Sequence, residues 1–457
     1  MPISSPVPIV AIVGRPNVGK STLFNRYAGR RRVLVGDTPG VTRDRIAEEI
    51  EVSGRRILLV DTAGLDPDPD RGIDRAVQQQ ARTAVEQADA VLLVVDGQAG
   101  LLPGERDLAR VLRRTEKPVA VAVNKIDVPT HFPRVAEFYA LALEPVRGVS
   151  AEHGTGAWDL LEEVVALLPD PPAESPDSGD AADPRLRVAL VGRPNVGKSS
   201  LLNRLLGEER VVVSEVPGTT RDAIDTILEV EGRSLVFVDT AGLRRPGRRH
   251  RVAEQGSALM AVRAIERAQV ALLLIDASDG FTDQDARLLS LVRERGCASA
   301  LVVNKWDLMG AGDSGARRRF DDEILRRLRG FPDVPLLRIS ALTGKGVRGV
   351  LPLVERLGDR AATELSTADL NRWLQDAVRR HEPAMAQRGS RRRPVKFFYA
   401  TQIAVRPPTF LLFCSDPAAV QPSYRRFLEN RLRERFDLAG TPVRLRLRKR
   451  RSEAREP

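Results

Sequence analysis

Short apolar runs alternate with longer amphipathic stretches along most of the chain. The first set of runs is Ile9–Val13, Ile57–Val60, Val91–Val95 and Val119–Val123; the second is Val188–Val191, Leu235–Val238, Ala271–Ile275 and Ala300–Val303. Uninterrupted, mostly β-branched runs of this length suit strands covered on both faces. Their alternation with amphipathic stretches predicts α/β domains, each with a mostly parallel sheet and helices on both faces. Past Ser366 the pattern changes. Asp369–Arg380 carries Leu370, Trp373, Leu374 and Val378 at helical spacing, and Tyr424–Phe436 reads as an Arg-rich amphipathic helix. Val395–Ala400, Thr409–Phe413 and Val443–Leu447 read as strands, the last alternating with Arg444, Arg446 and Arg448. This helix-strand-strand-helix-strand order predicts a smaller α+β unit.

The two sets of runs belong to copies of one domain. Gly14-Arg15-Pro16-Asn17-Val18-Gly19-Lys20-Ser21 recurs unchanged as Gly192-Arg193-Pro194-Asn195-Val196-Gly197-Lys198-Ser199. Asp61-Thr62-Ala63-Gly64-Leu65 recurs as Asp239-Thr240-Ala241-Gly242-Leu243, with the same displacement of 178 residues. Asn124-Lys125-Ile126-Asp127 is matched by Asn304-Lys305-Trp306-Asp307, and Ser150-Ala151 by Ser340-Ala341. So long a period excludes a solenoid and indicates duplication of a whole domain. The expected organisation is a first domain over 7–168, a flexible acidic linker over 169–185, a second domain over 186–358, a basic domain over 366–450 and a tail over 451–457.

Composition narrows the classes. Aromatic residues make up only 4% of the chain, so its cores must be built from Val, Leu, Ile and Ala. No apolar stretch approaches the roughly 18 residues of a membrane span, and no membrane partner is expected. The N-terminus lacks the charged-then-apolar pattern of a secretory signal, so a cytoplasmic location is expected. Cys297 and Cys414 stand far apart, which excludes a cysteine metal cluster or a disulfide framework. The net charge is +11, and from Ser366 onwards there are 21 Lys and Arg against 9 Asp and Glu. A basic excess gathered into one segment favours a polyanionic partner.

The repeated motifs specify nucleotide chemistry. Gly-x-x-x-x-Gly-Lys-Ser after a strand and ahead of a helix lets several backbone N–H groups face one phosphate, aided by the positive end of the helix. Lys20 and Lys198 would reach the β- and γ-phosphates, and Ser21 and Ser199 would offer hydroxyls to Mg²⁺. Asp61 and Asp239 end apolar strands, at the sheet edge where ligands bind, and would hold the same ion. Gly64 and Gly242 would approach the γ-phosphate. Asn-Lys-x-Asp selects the base: a carboxylate accepts from the N1–H and exocyclic amine of guanine, whereas adenine leaves it unpaired. Asp127 and Asp307 are therefore the guanine readers. Asn124 and Asn304 would support the base and the loop, the stems of Lys125 and Lys305 would cover the ring, and Ser150-Ala151 and Ser340-Ala341 would place a backbone N–H near the base oxygen.

With these motifs present twice in order, ahead of a basic C-terminal unit, the chain resembles the EngA/Der family of tandem GTPases from about Val7 to Arg450. The resemblance implies two P-loop, Ras-like G-domains, a KH-like RNA-binding domain, GTP hydrolysis and action in ribosome assembly. Its implied partners are ribosomal RNA and the large ribosomal subunit or its precursor, bound in a nucleotide-dependent way; no DNA partner is expected, and nothing in the sequence demands more than a monomer. It implies that Thr42 and Thr220 meet Mg²⁺ in the GTP state. Ras-type enzymes place Gln after Asp-x-x-Gly to orient water; here Leu65 and Leu243 stand instead. The resemblance implies a K⁺ ion beside the phosphates, near Asn17 and Asn195, to neutralise the growing charge. The acidic stretch Asp66–Asp70 and the basic stretch Arg244–Arg251 fall in the expected switch segments, and the acidic one is a candidate to dock on the basic domain. A true KH domain clamps RNA with Gly-x-x-Gly, which is missing here, so RNA contact would rest on the basic surface. Phe397, Phe398 and Tyr399 are candidates to stack on bases. Two other readings remain: a tRNA-modification GTPase, opposed by the absence of a reactive-cysteine context around Cys414, and a GTP-holding switch with negligible turnover.

Overall fold

The computed structural model describes residues 7–30, 47–61, 88–169, 185–207, 212–217, 224–230, 232–240, 243, 257–309, 314–383, 385–388 and 391–449. The first unit is built on six strands: β1 (Ile9–Val13), β2 (Ala47–Val52), β3 (Arg55–Asp61), β4 (Ala90–Asp96), β5 (Val119–Asn124) and β6 (Val146–Gly148). They lie in the order β2-β3-β1-β4-β5-β6, with only the β2–β3 hairpin antiparallel. The apolar runs become the central strands because they are covered on both sides. On one face Val10, Ile12 and Leu59 pack with α1 (Lys20–Arg30) and α3 (Ala157–Ala166); on the other Ala11, Val13 and Leu93 pack with α2 (Pro103–Leu112) and Phe138.

The second unit has seven strands: β7 (Leu186–Val191), β8 (Val212–Pro217), β9 (Ile224–Val230), β10 (Arg233–Phe237), β11 (Val270–Asp276), β12 (Ala298–Asn304) and β13 (Leu336–Arg338). Their order is β13-β12-β11-β7-β10-β9-β8, with β9 antiparallel to both of its neighbours, β8 and β10, and the remaining pairs parallel. Its helices are α4 (Lys198–Leu206), α5 (Ser257–Arg267), α6 (Asp283–Glu294), α7 (Ser314–Arg327) and α8 (Val350–Ala361). Thr282 caps α6, its hydroxyl accepting from the Asp285 N–H while the Asp285 carboxylate accepts from the Thr282 N–H.

The C-terminal unit contains α9 (Thr367–Arg380), β14 (Met385–Arg388), β15 (Arg391–Pro394), β16 (Phe397–Ala404), β17 (Thr409–Cys414), α10 (Pro422–Arg435) and β18 (Arg444–Lys449). β16, β17 and β18 form a sheet whose one face is packed by Leu370, Trp373 and Leu374 of α9 and Leu428 and Leu432 of α10. Asn371 fastens α9 to β16, accepting from the Ala400 N–H at 2.9 Å and donating to the Ala400 carbonyl at 3.1 Å. The sequence places the first strand at Val395–Ala400 after the Arg391–Arg393 run; instead the run itself forms β15, paired with β14, and β16 is shifted to Phe397–Ala404. An Arg triplet carries no period-two alternation, and two register irregularities in β16 displace its apolar phase.

The units touch at named points. Ser299 N–H donates to the Gly440 carbonyl at 2.7 Å, Arg444 Nη2 to the Glu294 carbonyl at 2.8 Å, and Arg360 pairs with Asp437 at 2.6 Å. Between the first and second units, Arg295 pairs with Glu49 at 2.8 Å and Arg263 with Asp89 at 3.1 Å. No described helix is long and apolar enough to cross a membrane.

Candidate functional site

Both Gly-x-x-x-x-Gly-Lys-Ser segments leave the central strand of their sheet, β1 or β7, and lead into α1 or α4. Gly14 and Gly192 adopt φ of 149° and 146°, where a Cβ would strike the carbonyl oxygens of Val94 and Leu274. Asn17 and Asn195 take left-handed conformations with φ of 65° and 62°, and both side chains are exposed. Lys20 Nζ donates to the carbonyls of Gly14 and Arg15 at 2.8 and 2.6 Å; Lys198 Nζ donates to those of Gly192 and Arg193 at 2.9 and 2.7 Å. Each ammonium is thus folded across its own loop, over the space that the loop encircles. Burial brings Lys20 down to about 8, partly opposed by the nearby Asp61 carboxylate.

The Asn-Lys-x-Asp segments follow β5 and β12 and are stitched to the loops. Asn124 Nδ2 donates to the Val18 carbonyl at 2.8 Å while its Oδ1 accepts from the Ala151 N–H at 2.8 Å. Asn304 repeats both bonds, to Val196 at 2.8 Å and from Ala341 at 2.9 Å. One buried amide therefore joins three of the sequence motifs in each unit. Lys125 and Lys305 are held by Asp96 and Asp276 at 2.5 and 2.6 Å. Asp127 Oδ1 accepts from Ser150 Oγ at 2.6 Å. Asp307 lines a cavity of about 530 Å³ with Gly197, Asn304, Lys305, Ala341 and Leu342. That volume suits a purine nucleoside. Ile126 and Ala151 are buried in the core, and Trp306 packs edge-on against Phe320.

The two sites differ at the carboxylate that ends the strand. Asp61 accepts from Ser21 Oγ at 2.7 Å. Asp239 lies just beyond β10 with φ of 54°, and its N–H donates to Asp225 Oδ1 at 3.1 Å. Its own Oδ2 is buried without a hydrogen-bond partner, and burial holds its carboxyl above the usual range against the pull of Arg267 and Arg263. The Arg residues of the loops also differ. Arg193 pairs with Asp285 at 3.3 Å and Asp279 at 3.2 Å, so its guanidinium is turned towards the start of α6 rather than into the loop. Arg15 Nε and Glu105 Oε1, the equivalent atoms of the first unit, are both buried without partners. Pro16 and Pro194 are exposed, Val18 and Val196 are buried, and Thr240 bonds Thr226 at 2.7 Å. Leu243 packs at the edge of the second core. Thr42, Thr62, Ala63, Gly64, Leu65, Thr220, Ala241 and Gly242 lie outside the described residues, as do Asp66–Asp70 and Arg244–Arg251.

The chain is similar to two relatives over nearly its whole length. "GTPase Der" of Pelotomaculum thermopropionicum is 46% identical over 450 residues, covering 98% of this chain and 100% of that protein. "GTPase Der" of Desulforudis audaxviator is 47% identical over 450 residues, covering 97% and 99%. The chain belongs to the GTPase Der family. A family model described as "50S ribosome-binding GTPase" matches residues 9–125 and 187–305, and one described as "KH-domain-like of EngA bacterial GTPase enzymes, C-terminal" matches 364–448. The two α/β units are thus Der G domains, each with a GTP-binding P-loop, and the C-terminal unit is the KH-like domain.

Sequence reasoning did not single out Asp96, Asp276, Asp225, Arg267 or Asp285. The only available signal was repetition: Asp96 and Asp276 each close an apolar strand ahead of a Gly-containing turn. Asp225 and Arg267 are 42 residues apart and meet only through tertiary packing.

Proposed function

We propose that both G domains hydrolyse GTP with Mg²⁺ and that the protein acts in the cytoplasm in ribosome biogenesis, binding ribosomal RNA on the large subunit or its precursor as a monomer. The carrying observation is the twofold recurrence of one geometry: a Lys folded over its phosphate loop, and a buried Asn tying that loop to the guanine-reading segment. The family model's own description, a 50S ribosome-binding GTPase, supports the ribosomal partner. The basic C-terminal domain supports the RNA.

The residues fit Mg²⁺. Ser21 with Asp61, and Ser199 with Asp239, are hard oxygen donors, and the orphaned Asp239 Oδ2 is a buried carboxylate oxygen in want of a cation. Thr42 and Thr220 would complete the set. When bound, the ion would neutralise charge on the phosphate oxygens. The chain's own part is positioning. Lys20 and Lys198 would leave the loop carbonyls for phosphate oxygens, and the loop N–H groups from Asn17 to Lys20 and from Asn195 to Lys198 would hold them. Asp127 and Asp307 would accept two guanine N–H groups, which an adenine cannot supply. Leu65 and Leu243 cannot orient water, so the growing charge would be met by Lys and by K⁺ beside Asn17 and Asn195.

Phosphate release tests this reading. GTP with Mg²⁺ and K⁺ should be turned over, Na⁺ should slow the reaction, and ATP should give none. Equal turnover of ATP would overturn the assignment, and equal rates in Na⁺ would remove the K⁺.

A further inference from the structure

The face of the C-terminal sheet opposite α9 and α10 carries a pattern that core packing does not require. Register places Tyr399, Phe413 and Arg448 in one row across β16, β17 and β18, and Thr401, Leu411 and Arg446 in the next. The Tyr399 and Phe413 rings stack with centroids 4.2 Å apart and planes 16° from parallel. Tyr399 is nevertheless 40% exposed. The helix side of the same strands takes Ala400, Leu412 and Leu445, so the domain's core is complete without Tyr399. Arg446 and Arg448 are exposed, and no ion pair joins them to an acidic group among the described residues.

Arg444, the first basic residue on this face, is different: it is half-buried and donates to the Glu294 carbonyl of the second G domain. The face is therefore fixed to that domain at one end and open at the other. A solvated basic surface has no use for an aromatic pair set beside exposed guanidinium groups. A ligand with alternating π-faces and anions does. Duplex RNA hides its base faces within its own stack, so the fit is to an unpaired strand.

We propose that this sheet face binds single-stranded RNA, with one unpaired base stacking on the exposed side of Tyr399 and extending the Tyr399–Phe413 pair, while Arg446 and Arg448 meet the flanking phosphates. The proposal rests on the RNA-binding reading above and names its site and strand state. It replaces the missing Gly-x-x-Gly clamp with a stacking platform. Successive rows are about 6.6 Å apart along the strand, so the two Arg side chains can serve consecutive phosphates.

The test uses the full chain and a fluorescein-labelled, unstructured 12-nucleotide RNA, with an RNA duplex of the same length as control. Tyr399→Ala should weaken the single strand about tenfold, the scale of one stacked base, and leave duplex binding unchanged. Tyr399→Phe and Tyr399→Trp should retain affinity, and the Trp variant should be quenched by the single strand. Arg446→Ala with Arg448→Ala should lower the slope of log affinity against log salt by about 1.4, two phosphates' worth. If Tyr399→Ala binds like the parent, or weakens the duplex equally, the stacking platform is wrong while RNA binding stands. If the parent binds neither RNA in any nucleotide state, the RNA-binding reading itself fails.

Discussion

Arg263 of the second G domain reaches across to Asp89 of the first, with Nη2 3.1 Å from Oδ1. The other oxygen of Asp89 accepts from the Ile9 N–H at 2.8 Å, at the start of the strand that delivers the first phosphate loop. One turn further along α5, Arg267 pairs with Asp225 at 2.5 Å, and Asp225 holds the Asp239 N–H. A single helix thus touches the neighbourhood of the second site's carboxylate and the root of the first site. Arg263→Ala is expected to uncouple the two. In the parent, GTP affinity at the first site should depend on whether the second holds GDP or GTP; in the variant that ratio should move towards one. Coupling is reciprocal, so calorimetry at either site serves. An unchanged ratio would show that α5 transmits nothing.

The Arg193 clasp should matter more than its counterpart in the first unit. Asp285 is fully buried, and Arg193 pairs with it. Arg193→Ala leaves that carboxylate without its cation and should cost about 3 kcal/mol at neutral pH in urea unfolding of the second unit. Arg15→Ala should cost less, about 1 kcal/mol, because the buried Glu105 feels the Arg15 charge but Arg15 Nε makes no hydrogen bond to lose.

The same substitution carries a pH signature. Burial holds the Asp285 carboxyl above its usual range in spite of Thr282 and Arg193. A raised acid stabilises the fold while protonated and loses that contribution as pH rises through its folded value. Removing Arg193 raises Asp285 further. The penalty for Arg193→Ala should therefore be small in acid and grow towards neutrality. A pH-independent penalty between roughly pH 4 and 7 would show that the pair is unimportant.

Asn124→Ala and Asn304→Ala should each orphan a buried carbonyl and a buried N–H. The expected loss is about 2–4 kcal/mol of nucleotide affinity at the altered site alone. Affinity for GDP and GTP should fall together, since the bonds serve the loop and not the γ-phosphate.

Asp307→Asn exchanges two acceptor oxygens for one acceptor and one donor. GTP binding to the second site should weaken by roughly 2–4 kcal/mol, and discrimination against ATP should shrink with it. Retained discrimination would move base selection to another residue.

The central strands were legible because burial on both faces writes itself into the sequence as unbroken runs such as Val91–Val95 and Ala271–Ile275. The segments that meet around each phosphate loop could be named in advance because they sit at fixed spacings, as with Lys20, Asn124 and their copies. Three features were not. Arg391–Arg393 pairs as a strand although nothing in its polarity alternates. Asp89 and Arg263 stand 174 residues apart, and no local pattern announces such a pair. The unlike conformations of Asp61 and Asp239 arise within identical Asp-Thr-Ala-Gly-Leu segments, so the difference comes from neighbours such as Asp225, which the motif does not contain.

The bond from Ser299 to Gly440 has a mechanical corollary. Ser299 stands near one end of β12 and Asn304 closes the other, where it grips the phosphate loop. Seven residues of extended chain make a stiff strut about 20 Å long. A tug on the KH-like domain would thus be delivered along β12 to the wall of the cavity that Asn304 and Asp307 line, with no flexible joint between.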